Sequence, residues 1–501
     1  MARSVLLDSV HAVARSVDGT VIGRGDRPVT AVTIDSRSAD SGSLFVALPG
    51  RHTDGHAFLA DVLGVGAAAL VRADVVAERR EELEGLLAEG AGALCVVENP
   101  LRALQRLAAE RLHRFDRLRR VAVTGSNGKT TTKEMIASVL SQKAATFKTR
   151  GNYNSEIGIP LSVFEVNETH RFGVFELGMN HVGEMETLAE IVRPEVAVVT
   201  NVGTAHIGLV GSREAIAREK SKIFSRFDGR QTAVVPEADR FRPILEDGLA
   251  GSVVPFGEES TAGFEGASLR GLDGSVLRLR GREIRLPLPG RHNVRNALAA
   301  ATVGELLGCT EGQIAAGLES VRPEFGRGEV YHGRITLLQD AYNANVESMR
   351  EAVRLVDETP TPMGRKILVL GAMYELGEHA AEHHGDVVDA VKASRADIAV
   401  FFGEEFEEAA LAAGARRDAL PGESVPVATT VTAAPAATAV STDDTPANGG
   451  ENTPVLAWTA DFETLRRLVR DTVRKGDLVL LKGSRGTRLE RLVPCLREGE
   501  E

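Results

Sequence analysis

The chain has 501 residues, 43% of them hydrophobic and 26% charged, with a formal net charge of −11. That length suits roughly two to four domains, each large enough for its own core, and no apolar run approaches the roughly 20 residues of a membrane-spanning helix. The negative balance argues against a general nucleic-acid surface, which needs positive charge clustered on one face, yet leaves small anionic ligands open. The first twenty residues interrupt their apolar positions with Asp8, His11, Arg15 and Asp18 and lack the continuous core of an export signal. A cytoplasmic monomer is expected, with no membrane span and no nucleic-acid partner. Cys95, Cys309 and Cys495 lie far apart, without metal-ligand spacing, and read as buried thiols.

Taken in chain order, residues 30 to 100 alternate strand-like runs (AVTIDSR, LFVALPG, AALVRA, ALCVV) with polar turns and charged helical stretches. A second unit opens near 119 with the strand RRVAVTG and continues through VFELGM and EVAVVTNVG, with a helix over Lys129 to Lys143. After the charged linker Arg322 to Arg334, read as a hinge, a third unit places five strands (ITLLQDAY, KILVLGAM, DIAVFFG, LAWT, DLVLLKGS) between helices. Parallel neighbours need crossover helices, so this unit predicts a Rossmann-like doubly wound sheet. The expected class is therefore three α/β domains, over 1–115, 116–320 and 321–501. Residues 421–454, rich in Pro, Ala, Thr and Gly with few large apolar side chains, predict a disordered insertion in the third.

The strongest chemical signal is the strand-to-helix junction from Val121 to Thr132. Small residues at Gly125, Ser126, Asn127 and Gly128 let backbone N–H groups converge on phosphate oxygens, and the following helix adds its N-terminal dipole. Lys129 supplies a point charge and Thr130 a hydroxyl for magnesium, with Thr131 behind it. The strict phosphate-loop pattern wants a glycine where Val123 stands, so this loop is shorter. Glu176 and His206 each follow a strand, at the end where open α/β sheets bind ligands; a solvated or loop-capping role suits the same positions.

The stretch TGSNGKTTTK resembles the ATP loop of the Mur ligase family. Further matches follow in order: FELGMNHVGEM, TNVGTAHIGLVGS and AREKSKIF resemble that family's magnesium-site segments, and GRHNVRNALAA its adenine-side motif. DAYNANVESM, GAMYELGEHAAEHH and LKGSRGTRLE resemble the C-terminal domain of the branch that adds D-alanyl-D-alanine, and TIDSRSADSGSLFVALPGRHTDGHAF (33–58) its uridine-nucleotide domain. The resemblance spans nearly the whole chain. It implies an N-terminal UDP-substrate domain, a central ATP-binding domain and a C-terminal ligase domain.

The activity it implies joins D-alanyl-D-alanine to the terminal carboxylate of a UDP-N-acetylmuramoyl tripeptide, with ATP and two magnesium ions. Thr130, Glu176 and His206 are the implied metal ligands, with Lys129 catalytic. Lys220 is implied to carry a carbamate, an anion better suited than an ammonium to a metal site; Lys222 in the same charged helix competes for that role. His292, Asn293, Asn296, Arg327, Asp340, Tyr342 and Asn343 fall to the nucleotide, with helix capping before NALAAATVGELL as the alternative for Asn293 and Asn296. Lys482, Ser484 and Arg485 fall to the dipeptide or the acyl phosphate, with a solvated loop as the alternative. Ser36, Arg37, Asp54, Gly55, His56, Asn152 and Asn154 fall to the UDP-linked substrate, where plain surface turns fit the same composition.

Three positions depart from the family's pattern: Val346 stands where proline is usual, Ala372 where aspartate is, and Pro236-Glu237 where asparagine is. Ala372 bears most on which amine is accepted. A sister ligase adding one amino acid, a folylpolyglutamate-type ligase and a non-catalytic nucleotide-binding protein are the competing readings.

Overall fold

The computed structural model describes residues 7–50, 53–89, 92–361, 364–420 and 454–497. The stretch 421–454, singled out above by composition, lies outside the described residues except for Pro454.

Three α/β units follow one another. In the first, β1 (Thr20–Gly23), β2 (Ala31–Thr33), β3 (Ser43–Val46), β4 (Ala68–Arg72) and β5 (Ala93–Val97) form a sheet in the order β1-β5-β4-β3-β2. All neighbours are parallel except β1, which runs against β5. β1 has only partly buried side chains, so its sequence carries little of the apolar signal that marks β3 and β4.

The second unit holds β6 (Arg119–Thr124), β7 (Thr146–Lys148), β8 (Phe172–Glu176), β9 (Val196–Val199), β10 (Thr232–Pro236) and β11 (Ser252–Phe256), all parallel, in the order β11-β10-β9-β6-β8-β7. β6 therefore sits between β8 and β9, and their carboxyl ends come together: Val123 pairs with Glu176, and Thr124 with Val199. Valines 121, 123, 174, 196 and 198 are buried, and full burial of each such side chain contributes roughly 1.5–3 kcal/mol. The helices Lys129–Ser141, Arg291–Leu306 and Glu311–Ser320 pack on this face. A separate antiparallel sheet of β12 (Phe264–Leu269), β13 (Ser275–Leu279) and β14 (Arg282–Leu286) completes the unit.

The third unit contains β15 (Glu329–His332), β16 (Thr336–Asp340), β17 (Lys366–Gly371), β18 (Ile398–Phe402), β19 (Arg416–Arg417), β20 (Val455–Thr459) and β21 (Leu478–Lys482) in the order β15-β16-β21-β17-β18-β20-β19. The five expected strands are all present and mutually parallel. β15 is new: part of the stretch read as a hinge pairs antiparallel with β16 as an edge strand. Register places Asp340 beside Lys482 at the carboxyl end of the sheet. Helix Val346–Glu358 starts from a reciprocal cap in which Asn345 Oδ1 accepts from the Ser348 N–H and Ser348 Oγ accepts from the Asn345 N–H.

Candidate active site

The phosphate loop is held open from below by the loop after β9. Gly125 has φ +149°, and a Cβ there would fall 1.8 Å from Thr200 Oγ1, so only glycine fits. Thr200 Oγ1 donates to the Asn127 carbonyl (2.6 Å), while the Ser126 and Asn127 N–H groups donate to the Asn201 backbone and side-chain oxygens, each at 3.0 Å. The Lys129 ammonium folds back onto the carbonyls of Gly125 (2.9 Å) and Ser126 (3.3 Å). Burial lowers its pKa, with the Arg327 charge acting the same way and Glu176 opposing. Those two carbonyls hold the ammonium over the turn where the phosphates of a nucleotide would lie.

Glu176 ends β8 with only 1% of its surface exposed. Its Oε1 accepts from Asn154 Nδ2 at 2.8 Å, but Oε2 has no hydrogen-bond partner, the nearest cation being Lys133 Nζ at 3.9 Å. Thr130 Oγ1, also buried, is likewise unpartnered. Orphaned buried oxygens are costly, and a hard cation that prefers oxygen ligands would satisfy both. Among the described residues no three His, Cys, Asp or Glu side chains cluster as a metal cage, which suits a cation such as magnesium, whose sites commonly draw on one or two carboxylates together with phosphate oxygens and water. His206 lines the same cavity, with Nδ1 2.6 Å from Glu375.

Lys220 and Lys222 differ in their surroundings. Lys220 is 1% exposed and its amine is pushed well below the ordinary lysine range, first by burial and then by the charge of Lys129, against Glu219. Lys222 is half-buried and paired with Glu219 at 2.7 Å. Lys220 does not line the cavity itself.

The cavity has a volume of about 930 Å³ and lies between the second and third units. Ser126 to Thr131, Asn152, Asn154, Glu176 and His206 line it from one side. His292, Asn293, Asn296, Arg327, Asp340, Tyr342 and Asn343 line it as well. The Arg327 guanidinium lies 4.0 Å from the Tyr342 ring centroid, a cation–π pair on the cavity wall. The helix-cap alternative for the asparagines fails. Gly290 is the N-cap of helix Arg291–Leu306, and Asn293 Nδ2 donates to the Pro289 carbonyl while Asn296 Nδ2 donates to Asn293 Oδ1.

The structure separates the trio Lys482, Ser484 and Arg485. Lys482 lines the cavity and is paired with Asp340 at 2.6 Å, as their register dictates. Ser484 and Arg485 do not line it: Ser484 Oγ accepts from the Tyr374 N–H (3.0 Å), and the Arg485 guanidinium lies over Phe325 and Tyr342. The N-terminal residues lie apart from the cavity too. Ser36 and Arg37 form a short turn capped by Asp35, whose carboxylate takes the Arg37 guanidinium at 2.8 Å. Asp54 caps the turn beginning at Gly55, and His56 is buried with Nδ1 on Asp54 (2.6 Å) and Nε2 accepting from the Arg72 N–H (3.1 Å). With both nitrogens occupied, His56 braces that turn. Ala372 is fully buried, so its side chain does not meet the cavity.

Three residues of the third unit reach the second without having been singled out in sequence. Asn345 Nδ2 donates to Asn127 Oδ1 in the phosphate loop (2.8 Å), Glu347 accepts from Thr204 N–H and Oγ1, and Glu375 holds His206. Nothing local marks them, since their partners lie 218, 143 and 169 positions away.

Comparison with known proteins bears on this arrangement. Family models described as Mur ligase family catalytic domain, Mur ligase middle domain, and Mur ligase glutamate ligase domain match residues 28–112, 123–304 and 326–485. The UDP-N-acetylmuramoyl-tripeptide--D-alanyl-D-alanine ligase of Treponema pallidum is 38% identical over 98% of this chain and 100% of its own. The chain belongs to the Mur ligase family. Among solved Mur ligases, MurF from Acinetobacter baumannii superposes with a TM-score of 0.81 at 30% identity, covering 99% of this chain and 100% of that one. MurF from Thermotoga maritima, solved in complex with ADP, gives 0.74 at 26% identity over 93% and 97%. The Mur ligase middle-domain match takes in the phosphate loop, Glu176, His206 and Lys220, and the glutamate-ligase match takes in Arg327, Asp340, Asn345, Glu375 and Lys482.

Proposed function

We propose that this chain is an ATP-dependent ligase that joins D-alanyl-D-alanine to the terminal carboxylate of UDP-N-acetylmuramoyl-tripeptide in peptidoglycan precursor synthesis. The observation that carries the reading is the end-to-end likeness to a ligase of that name, and the cavity between the second and third units supports it.

Two anions must meet for the first step. A carboxylate oxygen of the peptide attacks the γ-phosphorus of ATP; a C–O–P bond forms, the bond to the β-phosphate oxygen breaks, and ADP leaves. Lys129 and the N–H groups at the start of the helix Lys129–Ser141 offset the repulsion, those of Ser126 and Asn127 being taken by Asn201. Bound magnesium, with Thr130, Glu176 and His206 as its holders and two ions as the expected number, would supply further charge neutralisation between triphosphate and carboxylate. In the second step the dipeptide amine attacks the acyl carbon, loses a proton and expels inorganic phosphate. Closure of the domains over the cavity would exclude the water that hydrolyses the acyl phosphate.

His292, Asn293 and Asn296 are assigned to the adenine, Asp340, Tyr342 and Asn343 to the ribose and base, Arg327 to the phosphates, and Lys482 to the dipeptide or the acyl phosphate. Asn152 and Asn154 face the incoming peptide. Ser36, Arg37, Asp54, Gly55 and His56 belong to the surface offered to the uridine nucleotide, with His56 as its brace. The depressed Lys220 amine supports a carbamate there: the neutral amine adds to carbon dioxide with release of a proton. We place the enzyme in the cytoplasm as a monomer; among the described residues no helix is long and apolar enough to cross a membrane.

The test supplies purified protein with ATP, magnesium, the UDP-linked tripeptide and either D-alanyl-D-alanine or single amino acids, and weighs the products. Product from the dipeptide, with ADP and phosphate in equal amounts, is expected. Product from single amino acids alone would transfer the chain to a sister ligase.

A further inference from the structure

Two residues with left-handed backbones meet where the second and third units touch. His206 (φ +65°) lies in the loop after β9, and Glu375 (φ +63°) in the turn after β17. Side-chain-bearing residues hold that conformation only where their surroundings enforce it, and such strain gathers at functional sites. Here the enforcement is visible. The Gly208 N–H donates to the Glu375 carbonyl at 3.0 Å, and the Gly208 and Gly377 backbones come so close that a Cβ on Gly208 would stand 2.4 Å from the Gly377 nitrogen.

Across this junction Glu375 Oε2 takes His206 Nδ1 at 2.6 Å. A carboxylate on Nδ1 fixes the proton there, orients the ring and leaves the Nε2 lone pair for a cation; metal-binding histidines are commonly held this way. The neighbouring contact of Glu347 with Thr204 ties the same loop to the third unit without touching the imidazole.

We propose that Glu375 is a positioning residue for the metal site: it holds His206 in the tautomer that presents Nε2, and because it comes from the third unit, the site is complete only when the two domains are together. The inference rests on His206 being a magnesium ligand, as proposed above.

The experiment measures Mn²⁺ binding, with Mn²⁺ as the spectroscopic probe and ADP present, by electron paramagnetic resonance on the full chain and on folded variants checked by thermal unfolding. Glu375→Gln is expected to weaken Mn²⁺ binding about 10- to 100-fold, Glu375→Asp to recover part of that loss, and Glu347→Ala to weaken it less than Glu375→Gln. Unchanged binding in Glu375→Gln, with loss in Glu176→Ala and His206→Ala, overturns the positioning role while the metal reading stands. Equal losses in Glu375→Gln and Glu347→Ala also overturn it, reducing Glu375 to one contact of a domain latch. Wild-type binding in both Glu176→Ala and His206→Ala removes the metal reading and the inference with it.

Discussion

The Asn345 side chain donates to the Asn127 side chain across 2.8 Å, so the third unit touches the phosphate loop of the second. Asn345 also caps helix Val346–Glu358, and the two roles separate by substitution. Asn345→Ser keeps a good capping oxygen but is too short for Asn127. Unfolding temperature should stay near wild type while kcat/KM for ATP falls about 2- to 12-fold, the equivalent of one hydrogen bond at about 0.5–1.5 kcal/mol. Steady-state kinetics with varied ATP checks this.

Lys129→Ala removes the ammonium that spans the Gly125 and Ser126 carbonyls. Turnover should fall at least about 100-fold, the scale for losing one charge-stabilising group in a dry site. Binding of the UDP-linked substrate, read by calorimetry, should be largely retained, because the N-terminal sheet lies elsewhere.

Lys133 is wholly buried, donates to the Thr149 carbonyl at 2.9 Å, and stands 3.0 Å from Glu134 and 3.9 Å from Glu176. Lys133→Met leaves two buried carboxylates without that cation. A loss on the order of 3–5 kcal/mol is expected, seen as a lower urea midpoint.

Burial pushes the Cys95 thiol from 9.0 up to about 12. The unfolded chain releases this proton first as pH rises, so the contribution to stability is full below about pH 9 and is lost progressively between about 9 and 12. Cys95 should also resist a disulfide reagent at pH 8 until denaturant is added, which mass mapping of labelled cysteines would show.

Burial likewise holds the His292 imidazole below its ordinary 6.5, with Asp340 and Glu351 pulling the other way. A depressed histidine is neutral in the folded chain while the unfolded chain takes up a proton, so its contribution is present above about pH 6.5 and is lost as pH falls. An NMR titration should find the His292 midpoint below 6.5; His292→Gln should flatten the acid limb of the stability curve.

Much of this was legible because it is local. The phosphate loop, Glu176 and His206 each sit at the end of an apolar run whose strand character is plain, and the parallel order of the sheet then brings those ends together. What escaped is non-local or disguised. Lys133 looks like an ordinary charge on a helix, and only packing shows it buried; Lys220 looks the same locally and was marked out only by the family resemblance. The strand Glu329–His332 has no fully buried side chain and reads as linker, whereas residues 275–286 do alternate, with Leu277, Leu279, Ile284 and Leu286 inward, and form a hairpin that local pattern could have found. Lys482 reads as part of a turn with Ser484 and Arg485, but its register partner Asp340 holds it on the cavity wall while those two lie off it. Asn345, Glu347 and Glu375 act through partners that only domain packing supplies.

Where Gly208 faces Gly377, main chain rests on main chain with no room for even a methyl group. The spacing of the two lobes is thus set by atoms that no side-chain substitution elsewhere can adjust. Anything wedged into that seam, an alanine or the edge of a small molecule, props the lobes apart and withdraws Glu375, Glu347 and Asn345 from their partners in one movement.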